Sequence, residues 1–251
     1  MTVRPLAIVT GGKRRLGAEI AAKLAAAGYA LALVSHMDTP PEAALAEALK
    51  ANASEWHPFT FDLSAGDPAK LMDMIAAHFG RTADLLVNNA AMFGQDDWQT
   101  MTLATLEAHF RLNLFAPLLL SKALVQAAGP IARPAIVSIL DQRVVNPHQD
   151  QMSYTLSKQA LAASIRSMAA SFAGRARYNG VAPGLVIATD DYTAEQETRL
   201  AQMMPLGALP SPSAVADAVV YLAQAQDVTG QVIFVDGGAH LKSFDRDFMH
   251  L

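Results

Sequence analysis

The stretch AIVTGGKRRLGAEIAAKLAAAG, residues 7–28, decides the fold. The apolar run Leu6–Thr10 is typical of a buried strand, and apolar residues recur at helical spacing over Leu16–Ala27. The turn between them contains three glycines, Gly11, Gly12 and Gly17. Glycines at such a turn let the backbone approach a pyrophosphate held at the helix N-terminus. The stretch therefore predicts a dinucleotide-binding βα unit, with a glycine-rich turn that binds no ligand as the alternative.

A run of three cations follows the first glycines: Lys13, Arg14 and Arg15. Cations at a helix N-terminus oppose the helix dipole, so the cluster costs stability unless an anion is bound there. This arrangement favours phosphate binding over a solvated basic turn.

Apolar runs alternate with helical periodicity along the rest of the chain. The further predicted strands are Ala30–Ser35, His57–Phe61, Asp84–Asn88, Ala135–Ile139, Tyr178–Ala182 and Val232–Val235. The further predicted helices are Pro41–Ala51, Asp67–Phe79, Leu103–Ala128 and Met152–Phe172. We predict a single Rossmann-type α/β domain over residues 1–251, in which a doubly wound parallel sheet of about seven strands carries helices on both faces. The irregular stretch 185–212 is predicted to form a substrate flap over the carboxyl edge of the sheet.

Composition excludes several classes of function. Of the 251 residues, 52% are hydrophobic and 17% are charged, and the net charge is -4 with dispersed cations, which argues against nucleic acid as a partner. There are no cysteines, and the seven histidines form no HxH or HxxxH pattern, so we predict no metal site. Neither a signal-peptide core nor a membrane-spanning apolar run is present in the sequence, so we expect a soluble cytoplasmic protein.

The end of the second predicted strand indicates which dinucleotide is bound. An acidic residue that grips the ribose 2′-hydroxyl of NAD is expected near Ser35, and none stands there. His36, with Lys13 or Arg14, is suited to a 2′-phosphate. Asp38 argues mildly the other way, although we expect it to lie out in the turn. NADPH is therefore the predicted cofactor.

Polar residues also follow the third and fourth strands. Asp62, next to Leu63, can accept from an adenine amino group. Residues 88–91, Asn-Asn-Ala-Ala, close the fourth strand, and the asparagine amides either contact a ligand or only lock neighbouring strands. Asn113 lies inside a predicted helix, where asparagine is unfavourable without a polar partner. A carbonyl freed by a local helix distortion, or a water linked to Lys158, would explain it.

Tyr154 and Lys158 stand four residues apart in a predicted helix, and Tyr154 follows Asp141 by 13 residues. Residues at i and i+4 share a helix face. A free tyrosine has a pKa of about 10, and a neighbouring ammonium lowers that pKa because it favours the phenolate. The pair therefore predicts a general acid. Chance placement on an exposed helix is the alternative.

Together these segments resemble the short-chain dehydrogenase/reductase family over nearly the whole chain. The matching motifs are TGGKRRLG at 10–17, NNAA at 88–91, Asn113, YTLSK at 154–158, APGL at 182–185 and VDGG at 235–238. The resemblance implies hydride transfer between a nicotinamide cofactor and a small substrate. Tyr154 would donate the proton, Lys158 would bind the nicotinamide ribose and Asn113 would hold a relay water. The implied cofactor-binding residues are Gly11, Lys13, Arg14, Arg15, Leu16, Ser35, His36, Asp62, Leu63, Asn89, Ala90, Tyr154, Lys158, Pro183, Gly184 and Ile187.

Two departures from the family pattern narrow the resemblance. Arg15 replaces the middle glycine of the family motif, and Asp141 stands where a catalytic serine is usual. Both are similar to the pteridine reductase and dihydromonapterin reductase branch, in which Phe93 would stack a pterin ring against nicotinamide. A serine common in that branch is Ala91 here. The predicted substrate-binding residues are Arg15, Phe93, Asp141 and Tyr154.

Three functions are compatible with these residues. The first is an NADPH-dependent reductase of a dihydropterin such as dihydromonapterin or dihydrobiopterin, with dihydrofolate as a further substrate. The second is a keto reductase in which Asp141 is a local variation. The third is a nonenzymatic dinucleotide sensor, against which the intact Asn113, Tyr154 and Lys158 argue. The family also implies a homotetramer, and the tail, residues 243–251, either reaches a neighbouring subunit or frays.

Overall fold

A computed structural model describes residues 3–187 and 192–251. Its seven strands form one parallel sheet in the order β3-β2-β1-β4-β5-β6-β7. The strands are β1 Leu6–Thr10, β2 Ala30–Ser35, β3 Trp56–Thr60, β4 Leu85–Asn88, β5 Ala135–Ile139, β6 Arg177–Pro183 and β7 Val232–Val235. This arrangement confirms the predicted doubly wound α/β fold.

Helices cover both faces of the sheet. They are α1 Arg15–Ala26, α2 Ala43–Ala51, α3 Pro68–Phe79, α4 Leu103–Phe110, α5 Ala116–Ala127, α6 Met152–Ser171, α7 Ala194–Met203 and α8 Pro212–Gln224. One core cluster joins the sheet to α1, α2 and α8, and the other joins it to α3, α5 and α6. Every residue of β1 is buried, because parallel strands between two helical layers face no solvent.

Three features differ from the sequence prediction. The helix α7 lies inside the stretch that we expected to be irregular, and α8 was not predicted at all. The predicted long helix over 103–128 is interrupted by a π-helical turn, Arg111–Phe115. Other boundaries differ by one or two residues, as is usual at element ends. Residues 188–191 of the predicted flap lie outside the described residues.

The topology fixes where a ligand can bind. The connection after β1 runs to β2 on one side, and β4 continues to β5 on the other, so a crevice opens between their carboxyl ends.

Across the described ranges, no helix is long and apolar enough to span a membrane.

Candidate active site

A cavity of about 720 Å³ opens at the carboxyl edge of the sheet, beside the ends of β1 and β4. All of the residues predicted to bind a dinucleotide line it, from Gly11 at the first turn to Ile187 after β6. The walls therefore come from strand ends and the loops that follow them, which is where parallel α/β sheets bind ligands.

We call the turn between β1 and α1, residues 11–14, the phosphate loop. Gly17 packs against this loop with no room for a side chain. A Cβ there would lie 2.0 Å from the Gly11 carbonyl oxygen and 2.7 Å from Asn89 Nδ2. Asn89 Nδ2 in turn donates to the Thr10 carbonyl at 2.8 Å, and Thr10 Oγ1 accepts from the backbone NH groups of Asn89 and Ala90. Asn89 thus locks β1 to the end of β4 while also lining the cavity. The tight packing leaves a bare backbone surface that suits a phosphate.

Arg15 begins α1 in an unusual conformation. Its φ of 52° lies in the left-handed region, which costs a non-glycine residue about 1–3 kcal/mol. Its backbone NH donates to Glu42 Oε1 at 2.9 Å. A carboxylate from the start of α2 therefore offsets part of the positive charge that Lys13, Arg14 and Arg15 bring to the helix N-terminus.

The corner beyond β2 carries the groups predicted to contact a ribose 2′-phosphate. Ser35, His36 and Arg14 line the cavity there. Lys13 is 2% exposed, and its ammonium donates to the Met37 carbonyl at 3.0 Å. Asp38 is exposed and does not line the cavity, as the sequence predicted. This corner therefore presents cations and a hydroxyl group to a ligand.

The loop after β3 forms the part of the cavity wall next to this corner, since β3 lies beside β2 in the sheet. Asp62 and Leu63 line it, together with Ser64, which the sequence analysis did not identify. Asp62 Oδ1 accepts from the Ser64 backbone NH at 2.8 Å, so one carboxylate oxygen is used in a local turn. This placement is compatible with an adenine contact.

Three of the predicted catalytic residues meet at the inner end of the cavity. The Tyr154 hydroxyl donates to Asp141 Oδ2 at 2.9 Å. Lys158 Nζ donates to the Ile139 carbonyl at 2.7 Å and lies 5.9 Å from the centroid of the Tyr154 ring. Tyr154 and Lys158 are both buried on the first two turns of α6, and Asp141 follows β5.

The electrostatics of this trio correct the sequence prediction. Burial raises the pKa of Tyr154 well above its ordinary value, and the charge of Asp141 raises it further. The cation that opposes this rise is Arg143, not Lys158. Burial lowers the pKa of Lys158 itself to about 8, against the opposing effect of Asp141. The predicted lowering of the Tyr154 pKa by Lys158 is therefore wrong, because both groups are desolvated and the Asp141 carboxylate accepts directly from the Tyr154 hydroxyl.

Asn113 lies in the π-helical turn between α4 and α5 and is completely buried. Its Oδ1 accepts from the Met92 backbone NH at 2.8 Å, while its Nδ2 donates to the Met92 carbonyl at 2.9 Å and to Ser157 Oγ at 3.0 Å. The structure thus confirms a helix distortion here, a feature common at functional sites. The side chain itself ties the loop after β4 to α6 and does not line the cavity.

A second cavity of about 350 Å³ adjoins the first, and Arg15 and Asp141 line both. Phe93 lines the second cavity, is 52% exposed and packs edge-on against Tyr154 with ring centroids 4.8 Å apart. Plain core packing, the alternative role for Phe93, does not describe so exposed a ring. Of the predicted substrate-binding residues, Arg15, Phe93 and Asp141 line this cavity, and Tyr154 lines the first cavity and contacts Phe93.

Sequence analysis missed much of the second cavity. Arg143 and three residues of the tail, Asp247, Phe248 and Met249, also line it. Phe244, Asp247 and Phe248 of the tail are buried against the same chain, so the tail is not frayed at these residues. No motif marks these residues, because their proximity arises from contacts across about a hundred positions of sequence.

Within residues 3–187 and 192–251, no group of three or more potential ligand side chains is arranged to hold a metal.

Comparison with known proteins shows which family the chain resembles. A family model described as enoyl-(acyl carrier protein) reductase matches residues 11–240. Pteridine reductase 1 from Leishmania tarentolae is 30% identical, and the alignment covers 94% of this chain and 96% of that protein.

Two solved structures resemble the whole fold. FolM alternative dihydrofolate reductase 1 from Brucella suis, in complex with NADP, superimposes with a TM-score of 0.89 at 31% identity, covering 97% of this chain and 98% of that one. A 3-oxoacyl-[acyl-carrier protein] reductase from Brucella melitensis has a TM-score of 0.84 at 27% identity, covering 97% and 100%. The similar proteins thus include reductases named for pterin or folate substrates and a reductase of ketone groups.

Proposed function

The chain belongs to the short-chain dehydrogenase/reductase family, and we propose that within it the protein is a reductase of a reduced pterin. Its cofactor is NADPH. The phosphate loop, the cationic corner beyond β2 and the buried Lys158 would hold that cofactor. The preferred substrate is a dihydropterin of the dihydromonapterin or dihydrobiopterin kind, with dihydrofolate as a further candidate.

The observation that carries this proposal is the contact between Asp141 and Tyr154. A ketone oxygen needs hydrogen-bond donors around it, and an ionised carboxylate can only accept. A pterin instead presents an exocyclic amine and ring NH groups, which suit a carboxylate. Asp141 stands 2.9 Å from the proposed proton donor and lines both cavities, so it can accept from the substrate and the tyrosine together.

Phe93 and Arg15 support the same substrate. The half-exposed ring of Phe93 offers a flat apolar face at the entrance of the second cavity. Aromatic rings pack well against such a face. Arg15 borders both cavities and is placed to bridge a cofactor phosphate and the polar edge of a pterin. This dual contact would offset the free-energy cost of the left-handed backbone conformation of Arg15.

NADPH, when bound, would supply a hydride, and side chains of this protein would donate and replace the proton. We propose that Tyr154 donates to ring nitrogen N5 of a 7,8-dihydropterin as C6 is reduced. The raised pKa of Tyr154 keeps its proton in place until that nitrogen becomes basic. Asp141 disfavours a lasting phenolate, so it would hold the hydroxyl in position and return a proton to it from solvent in the second cavity. Lys158, fixed by the Ile139 carbonyl, is placed to bind ribose hydroxyls.

NADPH oxidation by the purified protein tests this proposal. The panel contains dihydromonapterin, dihydrobiopterin, dihydrofolate and simple ketones, with each substrate also measured with NADH. We expect a dihydropterin to give the highest kcat/KM. The keto reductase alternative, which the Brucella melitensis structure favours, predicts efficient turnover of ketones and neither reduction nor binding of pterins. A nonenzymatic sensor would bind NADPH and turn over nothing.

A homotetramer is proposed as the assembly. Apolar side chains face solvent in the single chain on α4, the π-helical turn, α5 and α6: Leu103, Phe115, Leu119 and Leu156. Large exposed apolar patches commonly mark protein contacts. Sedimentation velocity of the wild type and of Leu119→Glu would distinguish a tetramer from smaller species.

The flap proposed for residues 185–212 would close over the substrate. Leu185 and Ile187 line both cavities, and Tyr192 lines the second. Limited proteolysis with and without NADPH is expected to show protection of this stretch when the cofactor is bound.

A further inference from the structure

Arg143 is a buried cation at the centre of the substrate end. It lies two residues after Asp141 on a single 3-10 turn, Gln142–Val144, and is 3% exposed. Its backbone NH donates to Asp141 Oδ1 at 2.9 Å, and its Nε lies 3.3 Å from the same oxygen. The other carboxylate oxygen of Asp141 is thereby left to accept from Tyr154.

The other side of this guanidinium holds the C-terminal segment, residues 244–251. Arg143 Nη2 lies 2.5 Å from Asp247 Oδ2, and Nη1 donates to Gln151 Oε1. The backbone NH of Asp247 donates to the Asp150 carboxylate at 2.9 Å. Asp141 and Asp247 therefore share one buried guanidinium, and neither carboxylate can lose it without leaving a poorly solvated charge.

The C-terminal segment is packed firmly enough to hold Asp247 in place. Phe244 and Phe248 are buried, with ring centroids 5.0 Å apart. The ring of His148 lies 6.0 Å from the first and 5.5 Å from the second. Both phenylalanines belong to a cluster that includes Leu200 of α7. The end of the chain is thus part of the same packed unit as the second cavity.

We infer that Arg143 is a positioning residue that acts through Asp141, and that Asp247 holds the Arg143 guanidinium in place. The C-terminal segment thereby controls the charge and orientation of the catalytic carboxylate. This inference rests on the proposed role of the Asp141–Tyr154 pair and extends it to the end of the chain. The geometry gives each partner a separate task. Arg143 occupies Oδ1 of Asp141 so that Oδ2 faces the tyrosine, and Asp247 keeps the guanidinium from swinging into the cavity.

The two charges act on the Asp141–Tyr154 pair in opposite directions. Arg143 favours the deprotonated forms of the pair because it is positive, whereas Asp247 disfavours them because it is negative. Titratable and charged groups also surround the pair from the neighbouring elements, and all must be kept constant in the test: Arg15, His148, Asp150 and Lys158.

The test uses the full chain and measures kcat, KM and the pH profile of kcat with the best substrate. Arg143→Met is expected to lower kcat at least about tenfold and to move the apparent pKa of the pair to higher pH by about one unit or more. Asp247→Asn keeps the shape of the side chain, lowers kcat less and moves the same apparent pKa to lower pH. Arg143→Lys restores the charge without the planar fork, so it should recover the pH profile more fully than kcat.

Asp245→Asn is the matched control, since Asp245 is exposed in the same segment, and it should leave kcat and the profile unchanged. Equal displacement of the profile in the same direction by both variants, or no displacement in either, would overturn the inference and leave Arg143 a purely structural residue. If Arg143→Met does not fold, Asp247→Asn must still move the profile to lower pH while Arg143→Lys keeps it near that of the wild type, and any other pair of outcomes overturns the inference.

A measurement without substrate separates this inference from the proposed function. Tyrosine labelled with 13C at Cζ reports the ionisation of Tyr154 by NMR titration, identified by its loss in Tyr154→Phe. Opposite displacements of this titration in Arg143→Met and Asp247→Asn support the inferred effect of the two charges on the Asp141–Tyr154 pair even if ketones prove to be the substrates. Absence of displacement overturns it even if pterins are reduced well.

Discussion

The two ends of the active site are built in different ways. The cofactor end is formed mainly by backbone at strand ends, where Gly17 leaves the phosphate loop bare and the Asn89 amide locks β1 to β4. The substrate end is formed by side chains, and a buried ion pair between Arg143 and Asp247 joins positions 104 residues apart. A backbone cradle serves any dinucleotide, whereas a side-chain network can be changed residue by residue. The difference implies that substitutions at the substrate end can change substrate choice without disturbing the backbone that binds the cofactor.

The largest expected effect is that of Tyr154→Phe, which should disable the substrate end alone. Only the proton donor is removed, so kcat should fall about 10²–10⁴-fold. NADPH affinity, measured by fluorescence titration, should change little because the cofactor end is untouched. Tyr221→Phe, on the exposed face of α8, is the control. Near-normal kcat would show that water or another group protonates the product.

Asp141→Ser should sharpen the comparison by changing the substrate class without changing the cofactor. Loss of the charged acceptor is expected to lower kcat/KM for a dihydropterin by about 10²-fold, since a hydrogen bond to a charged group contributes up to about 3 kcal/mol. Turnover of simple ketones should be maintained or rise, because serine restores a hydroxyl donor. Equal loss for both substrate classes would contradict a pterin-specific role.

Ser35→Asp addresses the cofactor end in the same way. A carboxylate at the end of β2 should repel the 2′-phosphate, at a cost of about 1.5–3 kcal/mol. The preference for NADPH over NADH should therefore narrow by about 10–100-fold, with the ranking of substrates unchanged. Ser35→Ala separates the new charge from the lost hydroxyl. Comparable kcat/KM for both cofactors in the wild type would already contradict the premise.

Lys158→Met tests a smaller effect, the cost of burying an ammonium where the two ends meet. The folded-state pKa of about 8 is below the ordinary 10.5, so the buried charge destabilises the fold below pH 8, and this cost disappears as the pH rises to 10.5. The variant should therefore be more stable than the wild type at pH 7, by about 1–3 kcal/mol after loss of the Ile139 hydrogen bond. That advantage should shrink between pH 8 and 10.5.

Urea unfolding of the protein without cofactor at pH 7 and at pH 10 measures this difference. Lys122→Met, on the exposed side of α5, is the matched control. A stability difference that does not depend on pH would show that Lys158 is not strained by its burial.

Local sequence patterns predicted the strands of the sheet well. Four of the seven strands have the predicted bounds, because apolar runs between helical segments identify buried parallel strands. The helix α7 was missed although a signal was present. Thr193 and Gln196 form a capping box, in which each side chain accepts from the backbone NH of the other residue.

The sequence alone determined the family, the order of the elements and which residues would meet at the carboxyl edge, because strand ends in a parallel sheet share one edge whatever the loops do. Only the tertiary structure decided the state of the residues that meet there. Whether Tyr154 is influenced by Lys158 or by Arg143 depends on burial and on distances of a few ångströms. The Arg143 contact is set when the C-terminal segment packs against α7 and the turn after β5, and no local pattern in the chain encodes it.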